Sequence, residues 1–141
     1  MFPQILAVLT GIGVPILLAA GGYILTKKRE RDAELRTEKL EHYKAFVLSL
    51  NGILEDEAAP ETQRSFSQAC NNLNLIAPQE VLQCLHEYKE EIRSGNLNRN
   101  AERERKLCSN LFQSMRRDLG VNPRDKSQLE ITLWSANVKA K

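Results

Sequence analysis

The chain has 141 residues, with 20 Lys and Arg against 18 Asp and Glu, two His and three Cys, for a formal net charge of +2. This length is enough for one domain of ordinary size and excludes a multidomain enzyme. The near-neutral charge argues against duplex nucleic acid as a partner.

An apolar segment near the start of the chain predicts a membrane anchor. Residues 5–25 contain no charged side chain, and a helix of that length spans about 30 Å, the thickness of the hydrocarbon core of a bilayer. A cleaved secretory signal is the alternative, but no Lys or Arg precedes the run, and the run is longer than the apolar core of a signal. We therefore expect residues 1–26 to be a retained transmembrane helix that contacts membrane lipid.

The charges that follow this segment predict its orientation. Lys27, Lys28, Arg29 and Arg31 come directly after the apolar run. Positive residues concentrate on the cytoplasmic side of membrane proteins, so we expect the N-terminus outside and the C-terminal domain in the cytoplasm. The odd number of cysteines, without metal-ligand spacing, fits reduced thiols in that compartment.

Small residues recur every four positions within the predicted anchor, at Ala7, Gly11, Pro15 and Ala19. Such a stripe lets transmembrane helices pack closely, which would favour a homo-oligomer. The alternative is that Gly and Ala are simply frequent in membrane helices.

Apolar residues in the remainder of the chain recur mostly at helical spacing. We expect a basic juxtamembrane helix over residues 27–39, continuous with the anchor, and then an antiparallel bundle of about four helices over residues 40–121. The second bundle helix is predicted to begin near Thr62 and the third at Pro78. The expected fold class is therefore all-α.

Capping residues predict where the last two helices begin and end. Gly95 is expected to follow the third helix as its C′ residue, and Asn98 or Asn100 to cap the fourth. Gly120 should end the fourth helix, with Val121 placed for the apolar contact of a Schellman motif.

The pattern changes in the C-terminal tail, residues 122–141. Leu129, Ile131 and Leu133 alternate with polar residues, which favours a short strand or an extended segment that docks on another surface. A single strand would need a mate in a neighbouring subunit or partner. A last amphipathic turn against the bundle is the alternative.

No sequence motif for catalysis is present. Phosphate-binding glycine loops, nucleophile elbows, zinc-protease motifs and Cys-x-x-Cys pairs are all missing. His42 and His86 belong to different predicted helices, away from the centres of the apolar faces. We therefore predict no catalytic residue, no metal site and no cofactor, and do not expect an enzyme.

A basic strip on the fourth helix is the candidate ligand site. At 100° per residue, Arg99, Lys106 and Arg117 project within about 20° of one another, with Arg103 beside them and Arg116 further round. Arginine forks fit phosphate oxygens, so these five residues could bind a phosphorylated small molecule or anionic lipid headgroups.

Charge distribution supplies another interpretation of the same strip. Residues 40–94 carry a net charge of −5 and residues 95–141 a net charge of +5. The basic side chains could therefore form a solvated face that pairs with the acidic middle of the chain.

Asp118 lies in the last turn of the fourth helix, where the helix dipole disfavours a negative charge, and projects toward the apolar side. We expect an ion pair with Arg116, with Arg117 or with a basic residue of another helix.

The six residues Met115-Arg116-Arg117-Asp118-Leu119-Gly120, together with the layout of the chain, resemble a group of uncharacterised bacterial proteins. Those proteins combine one N-terminal membrane helix, a basic flank and a small helical cytoplasmic domain that ends in a Met-Arg-x-Asp-Leu-Gly type sequence. The resemblance implies a bacterial inner-membrane protein and implies no activity. In layout the chain is also similar to small membrane effectors of antiphage defence, whose cytoplasmic domain binds a cyclic nucleotide.

These observations predict a non-enzymatic, single-pass inner-membrane protein whose helical domain mediates oligomerisation and protein contact. The alternative is a cyclic-nucleotide-gated antiviral defence effector, in which the basic strips of several subunits bind the ligand and oligomerised anchors perturb the membrane.

Overall fold

The computed structural model describes residues 2–54, 59–121 and 129–133, with side chains from residue 13 onward. The described part contains four α-helices and no strand: α1 (Phe2–Ile53), α2 (Pro60–Ile76), α3 (Gln79–Ile92) and α4 (Ala101–Asp118). The expected all-α fold is confirmed. The chain divides into two compact units, Met1–Glu38 and Lys39–Lys141.

α1 runs from the predicted anchor into the helical domain without a break, as expected. Among the described residues, however, no helix carries an apolar stretch long enough to cross a membrane. The predicted transmembrane helix is therefore not confirmed.

The predicted packing stripe falls partly outside the described side chains. Those of Ala7 and Gly11 are not described, whereas Pro15 and Ala19 lie in α1 and are exposed.

The core of the second unit draws side chains from all four helices. α1 contributes Tyr43, Phe46 and Leu50, and the ring centroids of Phe46 and Phe66 lie 5.7 Å apart. The other buried apolar residues are Ala69, Cys70 and Leu73 of α2, Val81, Leu85 and Tyr88 of α3, and Cys108, Leu111 and Met115 of α4. This shared core is the predicted helical bundle.

The caps of α4 agree with the sequence. The side chain of Asn100 accepts hydrogen bonds from the backbone N–H groups of Glu102 and Arg103, at 2.9 and 3.1 Å. At the other end Gly120 has a φ of 67°, and Val121 donates its N–H to the carbonyl of Arg116 at 2.9 Å. The Asn100 cap and the ending of α4 at Gly120 are confirmed, and the apolar contact of Val121 stays a prediction.

Two other boundaries differ from the prediction. α2 begins at Pro60, before Thr62, because proline suits the first helical turn. α3 ends at Ile92 with Arg93 as its C-cap, and Gly95 is not in the left-handed region. Gly95 as the C′ residue was wrong, because the chain leaves α3 two residues earlier through an extended Arg93.

The described part of the tail, residues 129–133, forms neither helix nor strand. It lies against α4, where Ser109 Oγ accepts the N–H of Ile131 at 2.9 Å. In these five residues the tail contacts side chains of a helix of the same chain, and a docking role for the whole tail stays a prediction.

Candidate functional site

The predicted strip on α4 does not have the predicted geometry. Asn100 is the N-cap of α4, so Arg99 precedes the helix and does not follow its 100° phase. Arg99 instead turns toward Glu104, donating from Nε and Nη2 to its two carboxylate oxygens at 2.8 and 3.1 Å. The expected alignment of Arg99 with Lys106 and Arg117 is therefore wrong.

Arg103 forms an ion pair with the buried carboxylate of Glu91. Its Nε donates to Glu91 Oε2 at 2.6 Å and its Nη2 to the carbonyl of Asn98 at 3.0 Å. The other oxygen of Glu91 accepts the backbone N–H of Asn100 at 2.7 Å. This cluster joins the end of α3 to the start of α4.

The remaining basic side chains of the strip lie further along α4. Arg117 pairs with Glu80 of α3, with Nε and Oε1 3.2 Å apart, and both side chains are exposed. Arg116 is half-buried, and Lys106 is exposed at the edge of a shallow depression of about 270 Å³ that Asn110 and Glu130 also line.

An anionic ligand would have to compete with carboxylates for three arginines of the strip. Arg99, Arg103 and Arg117 already face carboxylates, and two of those carboxylates, Glu91 and Glu80, belong to the acidic middle of the chain. A phosphate would have to displace them to form arginine forks. The described contacts fit the interpretation in which the basic side chains pair with the acidic middle of the chain. The anion site stays a prediction.

Asp118 has the partner that its unfavourable position requires. Its Oδ1 accepts from Lys39 Nζ at 2.8 Å, and its Oδ2 accepts from Tyr43 Oη at 2.6 Å. The Asp118 side chain is only 11% exposed. Burial raises the pKa of Tyr43, and the hydrogen bond to Asp118 raises it further, so the phenol remains a donor. The expected ion pair with a basic residue of another helix is confirmed.

Three polar residues whose roles sequence reasoning missed organise the domain. Glu91 follows Tyr88 by three positions, so both residues lie on the buried face of α3. A carboxylate on a buried helix face indicates that a charged partner lies nearby. Ser109 and Gln113 lie one helical turn apart on α4, and both contact the carbonyl of Leu129 in the tail. No pattern in the sequence couples these two side chains to the tail.

The two buried thiols are poorly reactive. Burial raises the pKa of Cys70 to about 11 and that of Cys108 to about 11, from an ordinary 9.0. Cys84 is half-buried. The thiolate is the nucleophile, so a thiol that is both covered and protonated reacts slowly.

We therefore expect iodoacetamide at pH 8 to alkylate Cys84 of the folded chain well before Cys70 and Cys108, as read by mass spectrometry of tryptic peptides. In denaturant the three rates should converge. Equal rates in the folded chain would contradict the burial of the other two thiols.

Because the folded pKa values of Cys70 and Cys108 are raised, the contribution of these two thiols to stability should be complete below about pH 9 and lost as the pH rises through about 11.

The two histidines lie on different helices. His42 is half-buried on α1, and His86 is exposed on α3. Within the described residues no group of three or more His, Cys, Asp or Glu side chains is placed to hold a metal ion.

Comparison with family models, with curated proteins and with solved structures finds no match to this chain.

Proposed function

We propose that this chain is a membrane-attached protein whose helical domain mediates self-association and protein contact. One observation carries the proposal: the large apolar side chains of α1 are exposed in the part between Gly13 and Thr26 that the structure describes. Leu17 is 73% exposed, Leu18 72% and Ile24 66%, whereas the core of the second unit is closed. An exposed apolar surface of this kind marks contact with lipid or protein.

The sequence favours lipid as the environment of this segment. All of residues 5–25 lack charge, and the basic cluster from Lys27 to Arg31 follows at once. Tyr23 lies beside that cluster, with Lys27 Nζ 6.0 Å from the centre of its ring, an arrangement that suits the membrane interface. The proposed location is a bacterial inner membrane, with the N-terminus outside and the helical domain in the cytoplasm.

Membrane attachment is tested by placing charge in the exposed apolar segment. In Leu17→Asp/Leu18→Asp each carboxylate should oppose insertion by about 3 kcal/mol. We expect the wild-type chain to remain in the membrane pellet after an alkaline carbonate wash and the double variant to move to the supernatant.

Leu17→Ala/Leu18→Ala is the matched control, because it shortens the same two side chains without adding charge. It should stay in the pellet. A wild-type chain found in the supernatant would overturn the proposal of membrane attachment.

Surface features of the helical domain support its role in protein contact. A groove of about 590 Å³ lies between α1 and α2, lined by Leu48, Ser65 and Asn72 among others. Leu48 is 72% exposed and Leu75, three residues beyond Asn72, is 85% exposed. Gly52 allows the two helices to approach, since a side chain there would collide with Thr62.

The ligand-gated alternative stays a prediction. It requires loss of nucleotide binding when Arg99, Lys106 and Arg117 are neutralised, whereas a protein-contact role tolerates those changes unless the strip is itself the interface.

A further inference from the structure

Three basic side chains that follow the exposed apolar part of α1 have no ionic partner within the described residues. Lys28, Arg29 and Arg31 are all exposed, and no described carboxylate pairs with any of them. By contrast, Lys27 Nζ lies 2.8 Å from Glu30 Oε2. We call Lys28, Arg29 and Arg31 the basic collar. Its side chains are free to bind an anion from outside the chain.

The basic collar surrounds α1 instead of marking one face of it. At about 100° per residue, Arg29 projects about 100° to one side of Lys28 and Arg31 about 60° to the other. Glu30 projects into the remaining sector, where the ion pair with Lys27 neutralises its charge. A partner protein would meet one face of a helix, whereas lipid headgroups surround a helix that enters a membrane.

The apolar side chains that precede the basic collar are also exposed around the helix. Ile16, Leu17 and Leu18 are consecutive residues and are 60%, 73% and 72% exposed. Consecutive helical residues project about 100° apart, so these three cover about 200° of the circumference. A helix that is apolar all round is buried in protein or lies in a membrane. The basic collar therefore follows a segment that requires an apolar medium on several sides.

Charge along α1 changes sign at the depth where a layer of lipid headgroups would end. Residues 27–31 include four cations and one carboxylate, whereas residues 32–38 include three carboxylates and one arginine. Residues 27–31 extend about 6 Å along the helix axis. The headgroup region on each side of the hydrocarbon core is about 5 to 8 Å thick. The positive charge is thus confined to the length of helix that headgroups would surround.

We propose that the basic collar binds the phosphate groups of anionic phospholipids where α1 leaves the membrane. Lysine and arginine donate strong hydrogen bonds to phosphate oxygens, and an anionic leaflet attracts each positive side chain near its surface. A zwitterionic headgroup carries a cation beside its phosphate, so it binds more weakly. This inference rests on the proposed membrane attachment and does not depend on self-association.

Lipid retention by the full-length chain tests the proposal. The chain is purified in detergent with equal amounts of phosphatidylglycerol and phosphatidylcholine of the same acyl chains, and native mass spectrometry counts the lipids that stay bound. We expect wild type to retain phosphatidylglycerol in about fivefold excess and Lys28→Gln/Arg29→Gln/Arg31→Gln to retain the two lipids equally. Glutamine is a good helix former, so the melting temperature of the helical domain should not change.

A matched control removes three exposed positive charges from the helical domain, in the variant Arg64→Gln/Arg93→Gln/Arg105→Gln. It should keep the lipid preference of wild type. If the control and the collar variant lose the preference equally, retention follows net charge alone and the proposal is wrong. If the collar variant keeps the preference, anionic lipid binds at another surface and the proposal is also wrong.

The carbonate wash distinguishes failure of the basic collar from failure of the proposed function. A wild-type chain that stays in the membrane pellet but retains both lipids equally would overturn the basic collar and leave membrane attachment intact. A wild-type chain found in the supernatant would overturn both. A collar variant that loses its oligomer but keeps the lipid preference would assign the three residues to protein contact and overturn their role in lipid binding.

Discussion

Asp118→Ala should lower the stability of the helical domain far more than the loss of an exposed carboxylate would. The change removes the acceptor of the buried Tyr43 hydroxyl and the counter-charge of Lys39, both of which lie on α1. Leaving a covered donor and a charge without partners costs about 2 to 3 kcal/mol. For a domain of this size we expect the melting temperature to fall by about 10 °C.

Glu41→Ala is the matched control for this prediction. Glu41 also pairs with a lysine, Lys44, but both side chains are more than half exposed. Removing a carboxylate from such an exposed pair should change stability by less than about 0.5 kcal/mol. Thermal unfolding of the full chain, followed by circular dichroism, compares the two variants. Equal melting temperatures for Asp118→Ala and wild type would contradict the role of this pair.

Glu91→Gln should give the second large effect, with a distinct dependence on pH. The hydrogen bond from Arg103, and then that from the N–H of Asn100, hold the pKa of Glu91 below its ordinary 4.5. A depressed folded pKa means that this carboxylate stabilises the fold above about pH 4.5 and that the contribution is lost as the pH falls through the lower folded value. The glutamine variant should melt several degrees lower at pH 7.

The difference between Glu91→Gln and wild type should shrink in acid, because wild type loses the same contribution there. Melting curves measured from pH 7 down to pH 3 test both features. Glu90→Gln is the control, because Glu90 is an exposed neighbour of Glu91. Its Oε2 lies 3.4 Å from Nη1 of Arg93, whose side chain is also exposed. A constant difference between Glu91→Gln and wild type at every pH would contradict the electrostatic account.

Local features of this fold could be predicted from the sequence, because they depend on neighbouring residues. Asn100 as an N-cap and the ending at Gly120 and Val121 follow from side-chain chemistry within one turn. The need of Asp118 for a cation was also evident from its place in the helix.

Long-range partners could not be predicted, because nothing local specifies them. Lys39 lies 79 positions from Asp118, and Ser109 lies 22 positions from Ile131. Arg99 shows how an error arises: its predicted direction assumes a helix that already includes it, whereas α4 begins two residues later. Three arginines of the basic strip, Arg99, Arg103 and Arg117, pair with carboxylates, two of which belong to α3, and the anion site stays a prediction.

Self-association of the membrane-attached chain is tested most directly by the mass of the purified full-length protein in detergent, measured by light scattering with the detergent contribution subtracted. We expect a stable mass that is two or more times 16.0 kDa and that does not change with a panel of cyclic nucleotides. An oligomer that forms only with one nucleotide would instead support the ligand-gated effector. A protein mass of a single chain at every concentration would contradict self-association.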